Sequence, residues 1–335
     1  MRKLIFVLLL VFVKGLSQGV LPVSRYKVHQ VNQVNQPVLD VISTGSTFAY
    51  SLRKLRSSYT GYAIRIRNIN NNSTADIFFD KNDGVSNISN AVIVTPGTSP
   101  YSVGQTVPLS TFRKTSNLSV EIWYNQNVSG FNAIQNTVAN QPFLDFSAGS
   151  GFLPALLFSG TNSANSRFLV VQGNISEICP GGLGSFLLVT KPTANAVQGS
   201  FGYINSSTNW RWSFHFNWND GNLYFDAAEL CCQGNRNLNN NANLNLWKQY
   251  SFVRDATTKS VRTNTIARMN NSSSIQATSS PGFGFGIGIY MENSAPGNIT
   301  GYQGAISEVI MFEKALSNQE IIPLEHNQMD YWKIY

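Results

Sequence analysis

The sequence predicts an all-β body, built from short strands in a sandwich or barrel, with one helix at the C-terminal end. Three observations carry this. Charged residues make up only 12% of the 335-residue chain, and Asn, Ser, Thr and Gly take their place; the usual charged share is about 25%. Runs of the helix formers Glu, Lys and Ala are almost absent before residue 313. Short alternating apolar–polar segments recur along the chain, separated by Gly, Asn, Pro and Ser clusters, which is strand-and-turn patterning. A chain of this length can bury a large core in one or two domains.

The first element is read as a secretory signal over residues 1–19. Arg2 and Lys3 precede an unbroken apolar run from Leu4 to Val13, and small residues near Ser17 and Gly19 follow. This is the order of a cleavable signal, and the run is shorter than the roughly 20 residues a membrane span needs. The formal charge of +7 falls to +4 without Arg2, Lys3 and Lys14. The expected location is therefore secreted or cell-surface, or a virion. Residues 20–46 are polar and dotted with valine ("VHQVNQVNQPVLDV") and read as an extended lead-in. One domain is expected from 47 to 335, in two parts, 47–141 and 142–335.

In the first part the strands are "YAIRIRN", "ADIFFD", "NAVIVTP" and "LSVEIWYNQ". The basic residues Arg53, Lys54, Arg56, Arg65 and Arg67 cluster here. A nucleic-acid site needs a basic track interleaved with aromatics, and this cluster reads instead as solvated strand edges. Asp80, Asn82 and Asp83 form a loop that is either a calcium site or a plain turn. In the second part come "ALLF", "RFLVVQG", "SFLLVTKP", "SFGYIN", "WKQYSFVRD", "GFGFGIG" (282–288) and "GAISEVIMF". "NRNLNNNANLNLW" (235–247) reads as an Asn-rich loop. In the tail, Ser317 and Glu320 have capping-box spacing, and Pro323 either lies in the first turns of the helix or breaks it.

"NWRWSFHFNWNDGNLYFD" (209–226) is the most informative stretch. Trp210, Trp212, Phe214, Phe216 and Trp218 alternate with Arg211, Ser213, His215, Asn217 and Asn219, a period of two. Asp220-Gly221 fits a two-residue hairpin turn. That turn sets His215 opposite Asp226, Phe216 opposite Phe225, Asn217 opposite Tyr224 and Trp218 opposite Leu223. One face is then wholly apolar and belongs to the core. The other carries Arg211, His215, Asn217, Tyr224 and Asp226. Cross-strand neighbours lie about 5 Å apart, within reach of a His215–Asp226 hydrogen bond. Such a face is either a sugar site or an ordinary solvated sheet face.

The chain has three cysteines, Cys179, Cys231 and Cys232. Either the adjacent pair bonds to itself, or Cys179 bonds to one of them and leaves a thiol. Adjacent Cα atoms are about 3.8 Å apart, closer than the roughly 4.4–6.8 Å usual for a bridge. An oxidising compartment favours some disulfide. His29, His215 and His326 have no metal-ligand spacing, and no glycine-rich phosphate loop precedes a helix. No cofactor is expected.

Two regions carry a resemblance. "AYSLRKLRSSYTGYAIRIRN" (49–68) and "VEIWYNQNVSGFNAIQNTVANQP" (120–142) resemble the N-terminal part of the arabinofuranosidase B-type catalytic domain. "LPALLFSGTNSANSRFLVV", "WKQYSFVRDATTKSV" and "GYQGAISEVIMFEKALSNQEI" resemble the concanavalin A-like, laminin-G-type lectin/glucanase sandwich. The resemblance implies a two-sheet antiparallel jelly roll whose concave sheet binds glycans. It also implies an adjacent cysteine pair beside the sugar, matched by Cys231 and Cys232. The family aspartate in its W-Y-D-Q pattern is Asn125 here. Its acid segment, D-N-S, corresponds most nearly to Glu292-Asn293-Ser294, and the nucleophile segment has no match.

A glycosidase needs two carboxyl groups at defined separation. The candidates are Asp226, Glu229 and Glu292. The leading expectation is a secreted or surface glycan-binding and adhesion protein. The alternatives are an arabinofuranosidase-type hydrolase and a virion or appendage protein that self-assembles through the same sandwich.

Overall fold

The computed structural model describes residues 36–127, 130–160, 162–232, 235–276 and 282–335. The expected signal segment, 1–19, and the lead-in up to residue 35 lie outside the described residues. All long strand pairings are antiparallel, and the chain closes on a helix at Asn318–Trp332. The expected all-β antiparallel sandwich with a C-terminal helix is the fold that forms.

One layer is built around Gly304–Phe312, in which all nine residues are buried. Both of its faces are therefore covered, and only Ser307 and Glu308 among the nine carry polar side chains. One edge pairs with Gly184–Pro192. The other edge is shared by Phe48–Ser51 and Ala155–Phe158. Beyond Gly184–Pro192 follow Lys248–Arg254, Thr258–Thr263 and Ile266–Ser272. In the second layer, Ile64–Asn68 pairs with Thr74–Ile77 and with Leu118–Trp123. Leu169–Asn174 pairs with Phe283–Ile287, which leads to Phe201–Ile204, Trp210–His215 and Asn222–Leu230. "GFGFGIG" is thus an interior strand.

Aromatic rings join the layers. Phe186 of the first layer stacks on Phe214 of the second at 4.8 Å, and Phe214 meets Phe252 at 4.3 Å. Trp212, Phe225 and Phe285 complete the cluster and are wholly buried. Each such ring removes about 150–250 Å² from water, so the alternating hairpin is a main anchor of the core. Its apolar side faces in, as the alternation requires: Trp212 lies in this core and its indole Nε1 donates to the Gly182 carbonyl at 3.0 Å.

At the C-terminal end, Glu320 accepts from the Ser317 backbone N–H at 2.9 Å, the expected capping box. Pro323 lies inside the helix, which continues past it. The helix packs over Val38, Leu39 and Leu55. The Asn-rich segment differs from the expected loop: Asn237–Asn239 is an edge strand on Asn222–Tyr224. There the short polar strand satisfies backbone groups that a bare edge would leave open. Asp80, Asn82 and Asp83 form a turn. Asp80 accepts from the Asn82 and Gly84 backbone and from Ser86. Among the described residues no group of three or more His, Cys, Asp or Glu side chains is arranged to hold a metal ion.

Candidate functional site

The hairpin's polar side forms the floor of a cavity of about 380 Å³, lined by Ile204, Arg211, His215, Trp218, Tyr224, Cys231, Cys232, Arg236, Tyr290 and Ile299. Of the expected ligand-binding residues, Arg211, His215 and Tyr224 lie on its wall. Asn217 and Asp226 do not.

The register explains both departures. His215 pairs with Tyr224 and Ser213 with Asp226, two residues offset from a two-residue turn. An offset of two keeps each residue on its face, so the core side survives the change. The cause is Asn217, whose backbone is left-handed at φ 46°. The strand stops at His215, and the reversal takes Phe216 to Gly221. Asn217 turns inward and is fully buried. Its amide donates to Asn195 Oδ1 at 3.1 Å, and its Oδ1 accepts from Asn240 at 2.6 Å. Asn217 is therefore a turn staple, and the expectation of a ligand contact there is corrected. Trp218, expected in the core, instead swings to the cavity side, edge-on to His215 at 5.1 Å.

His215 makes no bond to Asp226, and that expected pairing is also corrected. Its Nδ1 lies 3.0 Å from the Gln198 carbonyl. A carbonyl only accepts, so Nδ1 carries the proton and Nε2 is left as an acceptor. Burial pushes the imidazole pKa down to about 3, against a smaller upward pull from that carbonyl and further lowering by Arg211 and Arg236. The ring is neutral at ordinary pH.

Asp226 is fully buried beneath the floor. Arg236 Nε approaches its Oδ1 at 2.9 Å and Arg211 Nη1 its Oδ2 at 3.9 Å. Neither carboxyl oxygen has an aligned hydrogen bond. Burial raises its pKa, and the guanidiniums of Arg236 and Arg211 offset only part of the rise. Glu229 is held by Lys259 and Ser273 in a buried cluster. A bulge at Ala228, φ 54°, brings it opposite Arg211 in the ladder. Glu292, on the short strand Met291–Glu292, is half-buried and acts electrostatically on Arg211 and Tyr290. None of the three candidate acids lines the cavity.

The rim comes from elsewhere in the chain. Cys231 and Cys232 are bonded to each other, and Cys179 is free and buried. This resolves the alternatives left open by the sequence. Arg236 stacks its guanidinium on the Tyr224 ring at 4.7 Å and donates Nη1 to Cys232 Sγ at 2.9 Å. The Tyr224 hydroxyl donates to Asp220 at 2.5 Å. Tyr290 is clamped between two glycines: a Cβ on Gly199 or Gly297 would fall 2.2 or 2.3 Å from its ring. Arg236, Tyr290 and Trp218 escape sequence reasoning. Arg236 was the one cation in an Asn-rich segment, and that was the only available signal.

Two residues of the W-Y-D-Q-like motif, Asn125 and Gln126, hold backbone here. Asn125, in the place of the family aspartate, accepts from the Ala49 backbone at 2.8 Å, and Gln126 accepts from Leu55 at 2.7 Å.

No protein-family model and no curated protein matches the sequence. Among solved structures, an arabinofuranosidase complexed with arabinofuranosyl-α-1,2-xylobiose is similar, with a TM-score of 0.58 and 13% identity over 88% of this chain. A GH54 α-L-arabinofuranosidase mutant soaked with 4-nitrophenyl α-L-arabinofuranoside gives 0.54 and 13%, also over 88%. The same type of enzyme soaked with a cyclic sulfate inhibitor gives 0.53 and 12%. In each case this chain spans 64% of the other's length. All three are arabinofuranosidases rather than laminin-G-type lectins. At this level of identity they establish a shared fold: this chain has the sandwich on which those arabinofuranosidases are built.

Proposed function

We propose that the chain engages a glycan in the cavity above the Trp210–His215 and Asn222–Leu230 hairpin. The observation that carries this reading is the wall itself. Three aromatic side chains, Trp218, Tyr224 and Tyr290, surround a neutral imidazole and two guanidiniums, with a disulfide at the edge. Sugars offer apolar C–H faces and many hydroxyls. Rings take the first by contact, and fixed acceptors and donors take the second. Secretion or surface display accords with this role and rests on the sequence of residues 1–19.

Two forms of this reading are separable. Binding without cleavage is favoured by the acids: Asp226 and Glu229 are tied up in buried ion pairs, whereas double displacement or inversion needs two carboxyl groups facing the sugar. Hydrolysis of an arabinofuranoside is favoured by the likeness to arabinofuranosidases, together with the vicinal disulfide beside the cavity. In that form Glu292 is the acid of choice, being outside every ion pair among the described residues. The fold likeness speaks more strongly for a hydrolase than for a lectin.

A glycan array with wild type and Tyr224→Ala, run beside turnover of 4-nitrophenyl α-L-arabinofuranoside, decides the matter. Binding lost in Tyr224→Ala with no turnover establishes recognition alone. Turnover that disappears in Glu292→Gln establishes the hydrolase. Silence in both assays defeats the glycan reading and leaves an assembly role.

A further inference from the structure

The satisfaction of the two cavity arginines points to a particular class of sugar. A guanidinium carries five N–H donors in a flat fork suited to a carboxylate. Arg236 spends its donors poorly. One goes to the disulfide sulfur of Cys232, a weak acceptor. Its Nε faces Asp226 at 2.9 Å without hydrogen-bond alignment. Its plane rests on the Tyr224 ring. Arg211 is little better placed, with Asn209 Oδ1 at 3.1 Å, Asp226 at 3.9 Å, and a buried Nε that lacks a hydrogen bond.

Two cations thus share one buried carboxylate that bonds neither well. The other acids nearby do not change this. Asp220 is occupied by Tyr224 and Asn222, and Glu292 acts on Arg211 only through its charge and is off the wall. The wall therefore offers guanidinium groups and no carboxylate. A neutral sugar would leave these donors on hydroxyl oxygens, whereas an ionised acceptor makes a hydrogen bond about twice as strong.

We infer that the cavity selects acidic glycans, the Arg236 and Arg211 guanidiniums receiving the carboxylate of a uronate residue. The inference rests on the glycan reading and narrows it. The aromatic side chains hold the pyranose or furanose face, and the carboxylate takes the place of the sulfur, while Asp226 keeps both guanidiniums as its counter-charges from beneath.

The test uses matched ligands on the whole protein. Galacturonate, mannuronate and glucuronate oligosaccharides are each titrated calorimetrically beside their methyl esters, which keep the sugar and remove the charge. A neutral arabinofuranosyl oligosaccharide is titrated alongside. The expected result is at least one acid bound roughly tenfold or more tighter than its ester. The gap should close in Arg236→Gln and in Arg211→Gln, and should shrink as salt is raised. Equal affinity of acid and ester would overturn the inference, as would binding of the neutral oligosaccharide alone; either outcome leaves the glycan reading standing. Failure of every sugar would remove both.

Discussion

His215 shows how one buried side chain sets the chemistry of a surface. Its Nδ1 proton is committed to the Gln198 carbonyl, and burial keeps the ring uncharged down to about pH 3. The folded-state pKa lies below the ordinary value of 6.5, so between those values the unfolded chain binds the extra proton. The stability this residue contributes is complete above pH 6.5 and declines as pH falls toward 3. Thermal melts of wild type should therefore lose midpoint across that interval, and His215→Gln should flatten that part of the profile. At the rim, Trp218 is only half-buried, so Trp218→Ala should lower glycan affinity by about tenfold while leaving the melting temperature nearly unchanged. Titration and melting of the same variant check both halves. His215, Arg211 and Tyr224 were legible in the sequence because strict alternation places them on one face. Arg236 and Tyr290 were not, because they arrive from segments that share no local pattern with the hairpin.

The hairpin as an element shows where local rules give way. Alternation places Trp210, Trp212, Phe214 and Phe216 in the core as expected, and Asp220-Gly221 lies in the reversal, but the pattern fails at Asn217 and Trp218. The turn is nonetheless longer than two residues, because Asn217 adopts a left-handed backbone and buries its amide among Asn195 and Asn240. Asn tolerates that conformation better than other side-chain-bearing residues. Nothing in residues 209–226 announces a partner at Asn240. The position of Trp218 follows from the same event and was equally hidden. Asn217→Ala removes three side-chain hydrogen bonds and strains the backbone, and should cost about 2–4 kcal/mol in urea unfolding. Asn217→Gly, which accepts the backbone, should cost less. The opposing rim depends on small residues: Gly297→Ala should displace the Tyr290 ring and weaken sugar binding with the core intact, visible as a loss in titration without a large shift in melting.

Across the whole molecule, the C-terminal helix is tied to the sandwich by apolar packing, by the Arg262–Glu325 ion pair and by one buried carboxylate that gathers several donors, Glu308. Glu308 accepts from Arg53 at 2.7 and 3.0 Å, from Ser51 at 2.8 Å, and from Gln328 and Trp332 at 3.0 Å. Burial alone would raise its pKa, but the Arg53 charge and the hydrogen bonds from Arg53, Trp332 and Gln328 outweigh it and hold the carboxyl below its ordinary 4.5. Its stabilisation is therefore full above that value and disappears as acid protonates it. Glu308→Ala leaves Arg53 buried without its partner and should cost about 3–5 kcal/mol, read from denaturant midpoints at neutral pH. The strand that carries Glu308 also governs the order of events in time. Gly304–Phe312 zips to segments made far earlier, around residues 48, 155 and 184. A ribosome must release some three hundred residues before those three edges find their mate. Until then the nascent polypeptide is an unfinished sheet that invites strangers, and slow long-range closure of this kind leaves it open to clumping. A chain cut at residue 303 should remain in that state, soluble only while a chaperone holds it.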